Sequence, residues 1–125
     1  MAKEFLFRGK TLDELKHMTL SQLAEIFCAR ERRKIKRGFT EEEKTLLKSL
    51  EKGDNIKTHC RDMIFLPSMV GKKILIHNGK EFILVVVSPE MIGKRFGEMA
   101  LTRRRVAHSS PGVGASKSTA HAAMK

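Results

Sequence analysis

Hydrophobic residues recur at helical spacing through the first half of the chain. They alternate or run together through the second half. Leu12 and Leu15 make a short stripe, and Leu20, Leu23, Ala24 and Phe27 fall at i, i+3, i+4 and i+7. Leu46, Leu47 and Leu50 make a third stripe. Each stripe follows a threonine with Glu or Gln three residues later: Thr11 to Glu14, Thr19 to Gln22, Thr40 to Glu43. At this spacing the hydroxyl accepts from the N3 amide while the N3 side chain returns a bond, so each pair predicts a helix start. Gly38 and Gly53 mark helix ends. The pattern predicts a short helix, a longer helix running from Thr19 straight into Arg37, and a third helix ending at Gly53. Together they read as a helical hairpin with its bend at the basic run, and residues 54–61 read as a connector.

The second half predicts a small sheet. Met63 to Leu66 reads as a short strand stopped by Pro67. In the next run Ile74 and Ile76 point one way, and Lys73, Leu75 and His77 the other. Asn78-Gly79 predicts a type I′ turn with both central residues at positive φ. The following EFILVVV is almost continuously apolar, which predicts a central strand covered on both faces. One phrase brackets this hairpin twice, as Pro67-Ser68-Met69-Val70-Gly71 and as Pro89-Glu90-Met91-Ile92-Gly93. Ser88 is placed to cap a turn of helix with Pro89 at N1. The expected fold class is α+β: a helical N-terminal part, a small mostly antiparallel sheet with an Asn-Gly hairpin, and an extended basic C-terminal tail. The expected organisation is one domain with extensions, in which residues 1–53 are helical, 54–105 form the sheet core, and 106–125 are a flexible tail ordered on a partner.

Charge decides what kind of partner that is. The 125 residues carry a formal charge of +11, and such an excess favours polyanions through Coulomb attraction and counterion release. Six of the eight residues from position 30 to 37 are basic: Arg30, Arg32, Arg33, Lys34, Lys36 and Arg37, against Glu31 alone. Complementing a helix dipole takes one or two cations, so this cluster predicts phosphate binding. Lys94, Arg95, Arg103, Arg104 and Arg105 face a single acid, Glu98. From residue 107 the chain turns to Gly, Ser, Ala, Thr, Lys and His, a composition that cannot repay its ordering entropy unaided. With no Trp or Tyr, recognition of RNA shape and phosphate is favoured over reading of splayed bases.

Other chemistries find little support. No run of about 20 apolar residues suggests a membrane span, and the N-terminus has no signal-peptide h-region. Cys28 and Cys60 lack CxxC spacing and read as reduced thiols. The histidines share no metal-ligand spacing, and Pro111-Gly112-Val113-Gly114 lacks the setting of a dinucleotide loop. His108 beside Ser109 and Ser110 stands in a polar tail that cannot fix a general base. No catalytic residue, metal, cofactor or small-molecule substrate is expected. The rival to a component of a large RNA assembly is a free-standing architectural nucleic-acid-binding protein. A nuclease would need a carboxylate or metal cluster that the sequence does not show.

Ordered words along the chain carry a family resemblance. They are Phe7-Arg8-Gly9; Ala29-Arg30-Glu31-Arg32-Arg33; Lys57-Thr58-His59; Arg61-Asp62-Met63-Ile64; the two Pro-x-Met phrases around Asn78-Gly79-Lys80; Gly97-Glu98; and Pro111-Gly112-Val113-Gly114-Ala115. With these the chain resembles family nineteen of the small-ribosomal-subunit proteins, in its archaeal and eukaryotic form. The resemblance implies a non-enzymatic, cytoplasmic constituent of the small subunit. It would bind small-subunit ribosomal RNA in the head, beside the head protein of family thirteen, with its C-terminal tail toward the decoding site and A-site transfer RNA. Carried over by position, the cations of residues 30–37, Lys72, Lys73, Lys80, Lys94, Arg95 and Arg103 to Arg105 would meet RNA. The stretch from His108 to Lys117 would be the decoding-side extension. Ser68 stands where the family often has Glu, and His77 where Tyr is common.

Overall fold

The computed structural model describes residues 3–108 and residue 112. Four helices lead: α1 (Leu12–His17), α2 (Leu20–Ile26), α3 (Ala29–Arg37) and α4 (Glu41–Lys52). A three-stranded sheet follows, of β1 (Ile56–Thr58), β2 (Lys73–His77) and β3 (Phe82–Val86), and then a one-turn helix α5 (Phe96–Met99). The architecture is α+β. All three predicted capping boxes form, with both reciprocal bonds at Thr11, Thr19 and Thr40. Each such cap is worth about 1 kcal/mol.

The long helix expected from Thr19 to Arg37 is two helices. Phe27 and Cys28 are extended, with ψ of 162° at both, and they separate α2 from α3. The cause is packing. Phe27 is buried and sets its ring edge-on to Phe7 at 5.8 Å. Carbonyls freed at the end of α2 are satisfied from the next helix: Arg32 donates to Ala24, Glu25 and Phe27. The basic run is thus a helix of its own rather than the end of its predecessor. The acidic start of α4 packs against α3, where Lys34 Nζ lies 2.6 Å from the buried carboxylate of Glu43.

The sheet also departs from expectation. Its order is β1-β2-β3, with β1 parallel and β3 antiparallel to β2. The sheet is therefore mixed, and residues 54–61 contain a strand where a connector was expected. Three residues with one apolar member, Ile56, are too short to show a period. β2 is the central strand. β3, expected to be covered on both faces, is an edge strand with Leu84 and Val86 each 53% exposed. The predicted alternation in β2 holds, with Ile74 and Ile76 buried.

Residues 63–66 are buried but form no strand of this sheet. They run antiparallel to residues 93–97, through bonds from Phe65 N to Lys94 O and from Phe96 N to Met63 O, each 2.9 Å. Phe65 and Phe96 stack 4.5 Å apart within the core. The repeated Pro-x-Met phrase gives the same structure twice: a 3₁₀ turn at Pro67–Met69 and at Pro89–Met91, each followed by a glycine at positive φ, 87° at Gly71 and 83° at Gly93. The Ser88 side chain makes no capping bond, contrary to expectation.

The Asn-Gly turn is not type I′. Pairing ends at His77 with Phe82, which leaves a four-residue loop, and Gly79 alone in it has positive φ. Asn78 instead turns its side chain inward, where Oδ1 accepts from the amides of Lys80 and Glu81 at 2.9 Å each. Positive φ at two successive residues occurs at Arg8 and Gly9, between the paired Phe7 and Lys10.

Candidate nucleic-acid interface

The helical period sorts the cations of α3. Arg30, Arg33 and Arg37 stand at i, i+3 and i+7 and remain exposed. Across from them Arg95 arrives on the segment paired with residues 63–66, held by Glu31 at 3.5 Å and Asp62 at 3.6 Å. Together with Lys34, Gly38 and Asp62 these residues line one open cleft. Lys34 and Arg95 are paired with Glu43, Glu31 and Asp62, whereas Arg30, Arg33 and Arg37 form no ion pair among the described residues, so the cleft keeps a net positive charge that favours a phosphate. Arginine suits this task because its planar fork can bind a phosphate by two parallel bonds.

Other predicted cations are engaged within the chain. Arg32 donates to three carbonyls around the end of α2. Lys34 pairs with Glu43, and Lys72 donates to the Leu50 carbonyl in the last turn of α4. Lys36 lines a different hollow, between α2 and α3. Lys73 and Lys80 are exposed on the sheet and its turn, and Lys94 is exposed beside the N-terminal segment. Arg103 and Arg105 are exposed, and Arg104 pairs with Glu81 at 2.5 Å near the turn. His108 is exposed, whereas Lys117 lies outside the described residues. Thus the structure joins Arg30, Arg33, Lys34, Arg37 and Arg95 in one site. It spreads the rest over the sheet end and the approach to the tail.

One organising arginine escaped the sequence reading. Arg61 is half-buried and donates to the carbonyls of His77 at 2.7 Å, Gly97 at 3.0 Å and Ala100 at 2.7 Å. It ties the hairpin to the segment that carries the basic C-terminal residues. The available signal was the word Arg61-Asp62, whose members now prove to have distinct tasks, since Asp62 orients Arg95. Among the described residues, no group of three or more His, Cys, Asp or Glu side chains could hold a metal ion. No helix among them is long and apolar enough to cross a membrane.

A cationic cleft and basic loops mounted on a small α+β scaffold suit a polyanionic partner. Comparison with known proteins makes this specific. Residues 33–108 match the family described as Ribosomal protein S19. A small ribosomal subunit protein uS19 of Methanoculleus marisnigri is 50% identical over 124 residues, covering 98% of this chain and 90% of the relative. A small ribosomal subunit protein uS19 of Methanococcoides burtonii is 46% identical over 123 residues, with the same two coverages of 98% and 90%. The chain belongs to the ribosomal protein S19 family. It is a structural, non-enzymatic component of the cytoplasmic small ribosomal subunit and partners ribosomal RNA and other subunit proteins.

Proposed function

We propose that this protein folds and clamps the ribosomal RNA of the small-subunit head, and that the cleft between α3 and Arg95 is its principal phosphate site. The observation that carries the reading is the convergence of Arg30, Arg33, Arg37 and Arg95 from two separate segments onto one opening. The mechanism is electrostatic: the scaffold holds these guanidinium groups at fixed separations, so RNA strands that repel one another can converge on them. The remaining exposed cations, Lys73, Lys80, Lys94, Arg103 and Arg105, steer flanking strands. In this reading the neighbouring head protein of family thirteen packs beside the chain. Residues 106–125 order on RNA, and the part from His108 to Lys117 reaches toward the decoding site and A-site transfer RNA.

Cys28 offers a direct test, because it is exposed at the start of α3. An iron chelate tethered there, in a Cys60→Ser background and assembled into small subunits, should cut ribosomal RNA at a few positions confined to the head domain. Cuts elsewhere in the subunit, or a chain that never co-sediments with it, would overturn the reading.

A further inference from the structure

The sheet has a face that the core does not use. Alternation sends Lys73, Leu75 and His77 of β2 away from the core, opposite Val86, Leu84 and Phe82 of β3. At the turn end of this face, rings gather. His59, just past β1, lies 4.5 Å from His77 with 34° between the ring planes. Phe82 turns its edge to both, at 5.2 and 4.9 Å. The Lys57 ammonium sits 5.4 Å from the centre of the Phe82 ring. None of these rings belongs to the buried core. His59 is exposed, and His77 and Phe82 are half-buried.

We infer that His59, His77 and Phe82 form a stacking platform for an unpaired base of the bound RNA, with Lys57, Lys73 and Lys80 holding the phosphates on either side. The inference rests on the RNA-binding reading above and adds a second kind of contact to it. Stacking on an exposed ring tolerates any base, because every base has a π-face. The platform is preorganised: His77 Nδ1 accepts from the Gly79 amide at 3.0 Å, which fixes the ring. Charge selects RNA over protein as the occupant. Among the described residues, no carboxylate pairs with Lys57, Lys73 or Lys80, and nearby Glu81 is taken by Arg104. An ordinary apolar protein surface would bury these ammonium groups without partners, whereas RNA supplies a phosphate for each beside a flat base. The exposed Leu84 and Val86 continue the flat surface along β3.

The test uses the full chain, a short single-stranded RNA carrying one 2-aminopurine, and a duplex of the same length, at moderate salt. The single strand should be quenched on binding, and the His59 and His77 ring protons should move upfield in NMR spectra. His59→Ala should keep the wild-type melting temperature and weaken single-strand binding at least about fivefold, the lower end of one stacking contact. Its duplex affinity and salt slope should not change, and His59→Trp should restore binding. Equal loss on single strand and duplex, or no loss on either, overturns the platform. So does a His59→Ala chain that loses only a purified subunit protein from a pull-down, which would assign the face to a protein. A wild-type chain that binds the duplex but leaves the single strand unquenched overturns the platform alone. Binding to neither RNA overturns the RNA reading with it.

Discussion

Arg32 Nε donates to the carbonyl of Ala24 at 2.9 Å, eight positions back along the chain. Its Nη2 reaches the carbonyls of Glu25 and Phe27 at 3.2 and 3.3 Å. The neighbouring Arg33 faces the open cleft instead. Two adjacent arginines in one basic run thus have separable tasks. Replacing Arg32 by Ala frees carbonyls at a helix end, and charged hydrogen bonds are worth about 1.5–3 kcal/mol. We expect Arg32→Ala to lower stability by about 2 kcal/mol in urea titration. Arg33→Ala should leave the melting curve in place and reduce the salt slope of RNA binding by up to about one unit. Exchange of those two outcomes would reverse the assignment.

Arg61 makes the second prediction. Its guanidinium spans three carbonyls, from His77 and from Gly97 and Ala100, which lie 36 and 39 residues along the chain from it. Truncation to Ala leaves partly buried acceptors without donors, at a cost of about 3 kcal/mol. Lysine should recover less than half of this, because one ammonium cannot copy the planar fork. Gly97→Ala should also destabilise, since its new Cβ would stand 3.3 Å from Arg61 atoms, one of them the backbone oxygen. Full rescue by Arg61→Lys in a thermal melt would show that charge alone is needed there.

These contacts mark how far the sequence was legible. Short-range rules worked: the boxes at Thr11, Thr19 and Thr40 all form, and Ile74 and Ile76 face the core. What depended on tertiary packing did not show. The stripe placed Phe27 in the core, but nothing local tells that the helix ends at it, or that Arg32 then takes up the carbonyls this exposes. The apolar run of β3 was legible as a strand, but its place at the sheet edge depends on β1 pairing with the other side of β2. Asn-Gly announced a turn correctly, and its type followed from where Oδ1 could bond. In the candidate site, the basic run offered all six cations of residues 30–37 alike, and the fold separates Arg30, Arg33 and Arg37 at the cleft from Arg32 and Lys36. The convergence of Arg95 required a long-range pairing, and so did the diversion of Lys72 to the end of α4.

The ion pair between Lys34 and Glu43 supports a third prediction. The Glu43 side chain is 5% exposed and that of Lys34 is 16% exposed, with 2.6 Å between Nζ and Oε1. The other carboxylate oxygen caps the Thr40 amide at 3.0 Å. Removing only the lysine strands a buried charge, which typically costs about 3–5 kcal/mol. Lys34→Met should therefore destabilise by about 3 kcal/mol, and Lys34→Met with Glu43→Gln should regain part of that loss, because glutamine can still cap Thr40 without a charge. Chemical denaturation of wild type, Lys34→Met, Glu43→Gln and the double variant checks this, and additive losses would show that the two side chains do not interact.

The hairpin loop gives the last prediction. Asn78 is buried and its Oδ1 holds two successive amides, so the loop depends on one acceptor rather than on the backbone twist of a two-residue turn. Asn78→Ala should cost about 2 kcal/mol, because both amides lose their partner. Asn78→Asp, which keeps the acceptor, should cost far less. At Gly79 the requirement is different: φ is 103°, and an added Cβ would meet nothing within 4 Å. Any loss in Gly79→Ala is therefore backbone strain, of the order of 1 kcal/mol. If the loop were instead held by the type I′ geometry that Asn-Gly favours, the Gly79 substitution would be the more damaging of the two. Urea midpoints of Asn78→Ala and Gly79→Ala, measured side by side, decide between these accounts.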